Sequence, residues 1–186
     1  MSRLWLVRHG PTHAKTMVGW TDLAADLSDT AAIARLNAHL PQVPVISSDL
    51  ARAVSTADAL TGRPRLPHDA DLREIHFGAW EMRGFAEIET ESPEHIRAFW
   101  ETPGDVRPPG GESWHDLSRR VTAALGRLAH LPEVIVVAHF GPIVAAIQMV
   151  AGLTPTEALV HRIDNLSVTR LDLGAAPLVH RINFLP

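Results

Sequence analysis

The chain contains no cysteine, so neither a disulfide framework nor a thiolate zinc site is available to it. Lysine is nearly absent as well: of the 17 basic residues, Lys15 alone is not arginine. Arginine offers a planar fork that grips phosphate bidentately, although GC-rich coding would produce the same bias, and for most of the arginines that blander reading is the better one. No apolar run approaches the length of a membrane span. Met1 to Val7 is short and leads directly into charge, unlike a secretory leader. A cytoplasmic protein is the expectation. A net charge of −4 argues against a general nucleic-acid binder, whose footprint would be basic. Repeats and low-complexity segments are lacking, and no linker marks a second domain.

What is present suits a globular chain. The 186 residues are 46% hydrophobic and 20% charged, enough to bury a substantial core as one domain over 1–186. Leu4 to Val7 and Val134 to Val137 are continuous apolar runs, and Val43 to Ile46 is a third; each reads as a buried parallel strand. Between and after them, helical spacing predicts helices over 28–40, with Ser28 or Asp29 as N-cap, and over 50–60, capped by a residue of Ser47-Ser48-Asp49. Further helices are predicted at 84–91, 93–101, 112–131 and 142–151. Two weaker strands, 166–172 and 178–183, close the chain. This alternation predicts an α/β three-layer sandwich, a mainly parallel sheet flanked by helices.

The three apolar strands run into Arg8-His9-Gly10, Ser47-Ser48-Asp49 and His139-Phe140-Gly141. In open α/β sheets the ligand crevice lies outside the carboxyl ends of the strands, so these segments should converge. Two histidines would face each other with arginines nearby, and helix N-termini would add N–H groups that favour an anion. Such a site can transfer a phosphoryl group without a metal. A neutral imidazole attacks phosphorus, arginines and a protonated His139 hold the equatorial oxygens, and a carboxylic acid protonates the departing alkoxide. Nothing in the residues alone selects that acid among the 21 Asp and Glu.

The blocks Leu6-Val7-Arg8-His9-Gly10-Pro11-Thr12, Gly19-Trp20-Thr21-Asp22, Ser48-Asp49-Leu50-Ala51-Arg52-Ala53, Leu72-Arg73-Glu74-Ile75, Phe77-Gly78-Ala79-Trp80-Glu81, Pro109-Gly110-Gly111-Glu112-Ser113 and Val137-Ala138-His139-Phe140-Gly141 occur in that order. Together they resemble the histidine phosphatase superfamily, also called phosphoglycerate mutase-like, over nearly the whole chain. The resemblance implies that fold and implies His9 as nucleophile, with Arg8 and Arg52 as phosphate-binding arginines. It also implies His139 as the second, phosphoryl-binding histidine and Glu74 as proton donor and acceptor, with no metal and no cofactor. Thr12 and Gly10 are implied to line or turn around the ligand.

Several positions depart from the family pattern. Pro11 replaces a common Glu, Lys15 an Asn, Trp20 an Arg of the mutases, Ala31 and Met82 frequent Gly residues, and Phe140 a Gly. Lys15, Trp20 and Phe140 are therefore expected on the substrate side of the pocket. The compact size resembles the phosphatase branch that includes α-ribazole phosphatase, acting on a small phosphorylated substrate. A cofactor-dependent phosphoglycerate mutase and a non-catalytic phospho-ligand binder are the alternatives. The other nine histidines lack metal-ligand spacing. Trp5, Trp80, Trp100 and Trp114 read as core, while His13 and His76 are lesser candidates for lining the pocket. Pro109 to Ser113 reads as a loop and helix cap. Oligomeric state is not legible.

Overall fold

The computed structural model describes residues 1–186. β1 (Ser2–Arg8) is followed by a long irregular loop and then α1 (Thr30–His39), with Asp29 as N-cap. β2 (Val45–Ser47), α2 (Ala51–Asp58) and two single 3₁₀ turns lead to α3 (Phe85–Glu91) and α4 (Pro93–Glu101). α5 (Trp114–Leu128), β3 (Glu133–Ala138), α6 (Phe140–Ala151) and α7 (Pro155–Leu159) follow, and β4 (Val168–Leu173) with β5 (Leu178–Phe184) completes the chain. No helix is long and apolar enough to cross a membrane.

The five strands form one sheet in the order β2-β3-β1-β4-β5. β1, β2 and β3 run parallel, as their unbroken apolar runs predict. β4 is antiparallel to β1, and β5 returns antiparallel to β4, so only β4 opposes the common direction. Side chains alternate across the sheet, as the two-residue period of a strand demands. Leu4, Leu6, Val134, Val136 and Leu171 pack on one face with Ile88, Ile96, Phe99, Leu117, Val121 and Ile143 from α3, α4, α5 and α6. Val7, Val45, Ile135 and Val137 pack on the other with Leu36, Leu40, Ala53 and Ala57 from α1 and α2. Helices on both faces make the three layers.

Three helix starts differ from expectation, each for a local reason. α2 takes no cap from Ser47, Ser48 or Asp49; its first N–H, on Ala51, donates to Asp22 Oδ1 of the distant β1–α1 loop at 2.7 Å. Asp49 is engaged elsewhere, in a fork with Arg73. α6 begins at Phe140, immediately after His139, with Pro142 inside its first turn, where no intrahelical N–H bond is lost. α5 is shorter than its pattern, starting after a reciprocal cap between Ser113 and Asp116.

The sheet core predicts a sharp contrast between two leucines. Leu4 is 0% exposed, and Leu4→Ala should cost about 2–5 kcal/mol by urea unfolding. Leu178, on β5, is 54% exposed, and its change to Ala should stay within about 0.5 kcal/mol. Equal losses would contradict the layering described.

Candidate active site

Register brings the predicted strand ends together. Arg8 pairs with Ala138 across β1 and β3, and Ser47 pairs with Val137 across β2 and β3. The ladder continues one step further, through His9 N–H to Ala138 O at 3.0 Å and Ser48 N–H to Val137 O at 3.2 Å. His9 and His139 therefore emerge side by side, their ring centroids 4.9 Å apart.

His9 is buried, and its Nδ1 lies 2.6 Å from Gly10 O. A carbonyl oxygen can only accept, so Nδ1 carries the proton and the lone pair resides on Nε2. Burial, with added repulsion from Arg52 and Arg8, lowers the pKa of His9 to about 3 despite the Gly10 bond. The ring is a neutral base with one nucleophilic nitrogen. His139 is wholly buried, with Nε2 2.6 Å from Ser48 Oγ and Nδ1 left without a partner. Burial first, then repulsion from His9, Arg52, Arg120 and Arg8, pushes its pKa well below the ordinary histidine value. The expected protonated His139 is therefore not the form of the empty site; it belongs to the site holding a phosphoryl dianion, whose charge favours the imidazolium. His139 is neutral in the free site, and with a hydroxyl donor on Nε2 it would offer Nδ1–H to an anion.

Two guanidiniums supply the positive charge. Arg52 is 1% exposed on α2, its Nη1 and Nη2 donating to Thr21 O at 2.9 Å and Gly19 O at 2.6 Å. The carbonyls that hold Arg52 are fixed in turn by Glu81, whose carboxylate accepts from the N–H groups of Gly19, Trp20 and Phe77 and from Thr21 Oγ1. Arg8 donates Nη1 to Ile163 O at 2.6 Å, and its buried Nε is unpartnered. Burial lowers both arginine pKa values, but guanidinium stays charged in any case.

Glu74 is buried beside them. Its Oε1 accepts from Ile75 N–H at 2.8 Å and Gly141 N–H at 3.0 Å. A β-carbon on Gly141 would fall 2.2 Å from that oxygen, so only glycine lets the start of α6 come this close. Burial raises the Glu74 pKa, overriding these hydrogen bonds and the two arginines. The carboxyl is thus held toward its protonated form. Its backbone is clamped too: Trp20 Nε1 and Arg120 Nη2 both donate to Glu74 O at 2.8 Å, and Arg120 is paired with Glu112. Glu112 also receives His76 N–H, so the Pro109 to Ser113 block buttresses the Glu74 segment as well as capping α5.

A cleft of about 280 Å³ is lined by Arg8, His9, Thr12, Arg52, Glu74 and Phe140 together with Ala14, Thr16, Met17, Val18, Phe77 and Trp100. Two tryptophans exchange their expected places. Trp20 is not in the lining; its indole stacks on His76 at 4.5 Å and under Arg73 at 4.8 Å while its N–H goes to Glu74 O. Trp100, expected in the core, is 41% exposed and lines the cleft. On α4 the core positions are Ile96 and Phe99, and Trp100 sits one step round the helix. Lys15 is exposed, flanked by the lining residues Ala14 and Thr16. Gly10 is absent from the lining and is needed for close approach to Leu27 and the Asp26 backbone, while its N–H donates to Thr56 Oγ1. His13 faces Asp26 outside the cleft.

The sequence profile of the histidine phosphatase superfamily (branch 1) matches residues 4–182. The chain belongs to this superfamily. It is 31% identical to the adenosylcobalamin/alpha-ribazole phosphatase of Escherichia coli K12, over 92% of this chain and 90% of that one. It is 29% identical to the Proteus mirabilis protein named "Probable phosphoglycerate mutase GpmB", over 95% of this chain and 87% of that one. The structure of mycobacterial glucosyl-3-phosphoglycerate phosphatase superposes with a TM-score of 0.83 at 28% identity, covering 97% of this chain and 98% of that one. The three-layer arrangement is thus the phosphoglycerate mutase-like fold of a superfamily of phosphatases and mutases.

A buried neutral His9 carries a stability signature. The unfolded imidazole titrates near 6.5, whereas the folded one is lowered to about 3. Between those values the unfolded chain binds the extra proton, so stability falls as pH drops through that window. His9→Asn removes this component, and its urea midpoint should fall less than that of the wild type between about pH 7 and pH 4. Parallel declines would contradict a neutral His9.

Proposed function

We propose that the protein is a cytoplasmic phosphatase that hydrolyses a small-molecule phosphate monoester through a phosphohistidine on His9. The carrying observation is the His9 ring itself, its Nδ1 proton committed to Gly10 O and its Nε2 lone pair free, in a cleft that Arg8 and Arg52 also line. In the first step the Nε2 lone pair forms the P–N bond while the bond from phosphorus to the leaving oxygen breaks. That oxygen takes the Glu74 proton. Arg8 and Arg52 balance a dianionic phosphoryl group, and His139 adds an Nδ1–H donor. The positive charge that develops on the phosphorylated ring is stabilised by the Gly10 carbonyl. In the second step the Glu74 carboxylate removes a proton from water, the water oxygen attacks phosphorus, and the P–N electrons return to Nε2. Glu74 is left protonated and orthophosphate departs.

The cleft lining favours a phosphatase over a mutase. Beyond Arg8 and Arg52 it holds no cationic side chain to anchor a second anionic group, and Trp20 stands where the resemblance to mutases calls for Arg. A non-catalytic binder would have no need of a buried carboxyl held toward its acid form beside the nucleophile. The names of the Escherichia coli and mycobacterial relatives support the same reaction class.

Phosphate release from simple esters tests the reading. It should persist in excess chelator and vanish in His9→Ala. Glu74→Gln should slow alkyl phosphates by roughly a hundred- to ten-thousand-fold, and aryl esters with good leaving groups far less. Equal losses on both ester types would reduce Glu74 to a structural role. Efficient interconversion of phosphoglycerates by the wild type would favour the mutase instead.

A further inference from the structure

The cleft does not end at Glu74. Behind it an apolar recess of about 60 Å³ is lined by Ile75, Phe77, Phe99, Trp100, Phe140 and neighbouring residues, with Glu74 as its only ionisable group. Glu74, Phe77, Trp100 and Phe140 line both cavities, so the recess adjoins the phosphate site. We propose that this recess and its aromatic mouth form the leaving-group subsite, and that it takes a flat aromatic ring joined to the phosphate by a short link; the proposal rests on the phosphatase reading above.

Three observations carry it. An in-line attack by His9 Nε2 places the leaving oxygen on the far side of phosphorus, within reach of its proton donor. Whatever is bonded to that oxygen therefore extends on the Glu74 side, where the walls are aromatic. Next, Trp100 is left 41% exposed, whereas Trp80, Trp114 and Phe99 are each at most 6% exposed. An indole half open at the mouth of a recess has apolar surface that a ligand ring can cover. Finally, Trp100 is held in place, edge-on to Phe99 with centroids 5.0 Å apart and tilted 6.2 Å from Phe77. It is a fixed wall. The recess admits the edge of one ring, and the rest of the body must lie against Trp100 in the wider cleft. The indole and the recess offer such a body apolar contact, and the cationic side chains lining the cleft, Arg8 and Arg52, are assigned to the phosphate.

The test separates binding from turnover. Affinities of naphthylethyl phosphonate and hydroxyethyl phosphonate, neither hydrolysable, are compared on the wild type, Trp100→Ala and Trp100→Phe. The wild type should prefer the naphthyl compound by about tenfold or more. That ratio should fall close to one in Trp100→Ala and be largely kept in Trp100→Phe. Equal affinities in the wild type, or a ratio unmoved in Trp100→Ala, would overturn the subsite. Should Trp100→Ala fail to fold, the wild-type ratio and Trp100→Phe still decide. Turnover of the matching phosphate esters, both with primary alcohol leaving groups, reports the reaction independently. A strong binding ratio without phosphate release would support the ring site and overturn the phosphatase reading.

Discussion

The hydrogen bond from His9 Nδ1 to Gly10 O is the constraint around which the site is arranged. It fixes the tautomer, and with it the atom that can act as nucleophile. Burial then keeps that ring uncharged beside two permanent cations. A histidine free to rotate or to protonate would present a donor, not a lone pair, to the same ligand. Asn165 adds a second tether, donating Nδ2–H to the His9 carbonyl at 2.7 Å, so backbone and ring are both held.

The surrounding chain supports this centre through two buttresses. Glu81 gathers the loop at Gly19, Trp20 and Thr21, and that loop's carbonyls hold the Arg52 fork. Glu112 and Arg120, with Trp20, fix the backbone of Glu74, while Gly141 at the head of α6 fixes its carboxyl. Each buttress crosses between segments distant in sequence. The long β1–α1 loop thus behaves as ordered structure, giving α2 its cap through Asp22 as well as its arginine anchors. Irregular backbone close to a buried charge must still satisfy its polar groups, and these cross-links do so.

Most of the fold was legible because β1, β2 and β3 are apolar on both faces and the helices keep a clear 3.6-residue period. The convergence of His9, Ser48 and His139 followed from their places at strand ends. Glu74 was different. It lies in irregular chain between two 3₁₀ turns, and no periodicity marks it, so only resemblance to a family selected it. The burial that keeps His139 neutral in the empty site left no signal either, because it depends on how completely α6 and Ser48 enclose the ring. Trp20 and Trp100 exchanged roles for a related reason: which side of a loop or short helix faces the cleft is settled by tertiary packing. Arg120 left no signal at all, since an arginine on an amphipathic helix ordinarily faces water.

The account stands or falls on which nitrogen carries the phosphoryl group. Phosphoenzyme trapped by rapid quenching under alkaline conditions, after ring ¹⁵N labelling of histidine, can be read by ³¹P–¹⁵N correlation. The committed Nδ1 proton predicts a single phosphohistidine, at His9, bonded through Nε2. A phosphoryl group on Nδ1 of His9, or on any other residue, would contradict it.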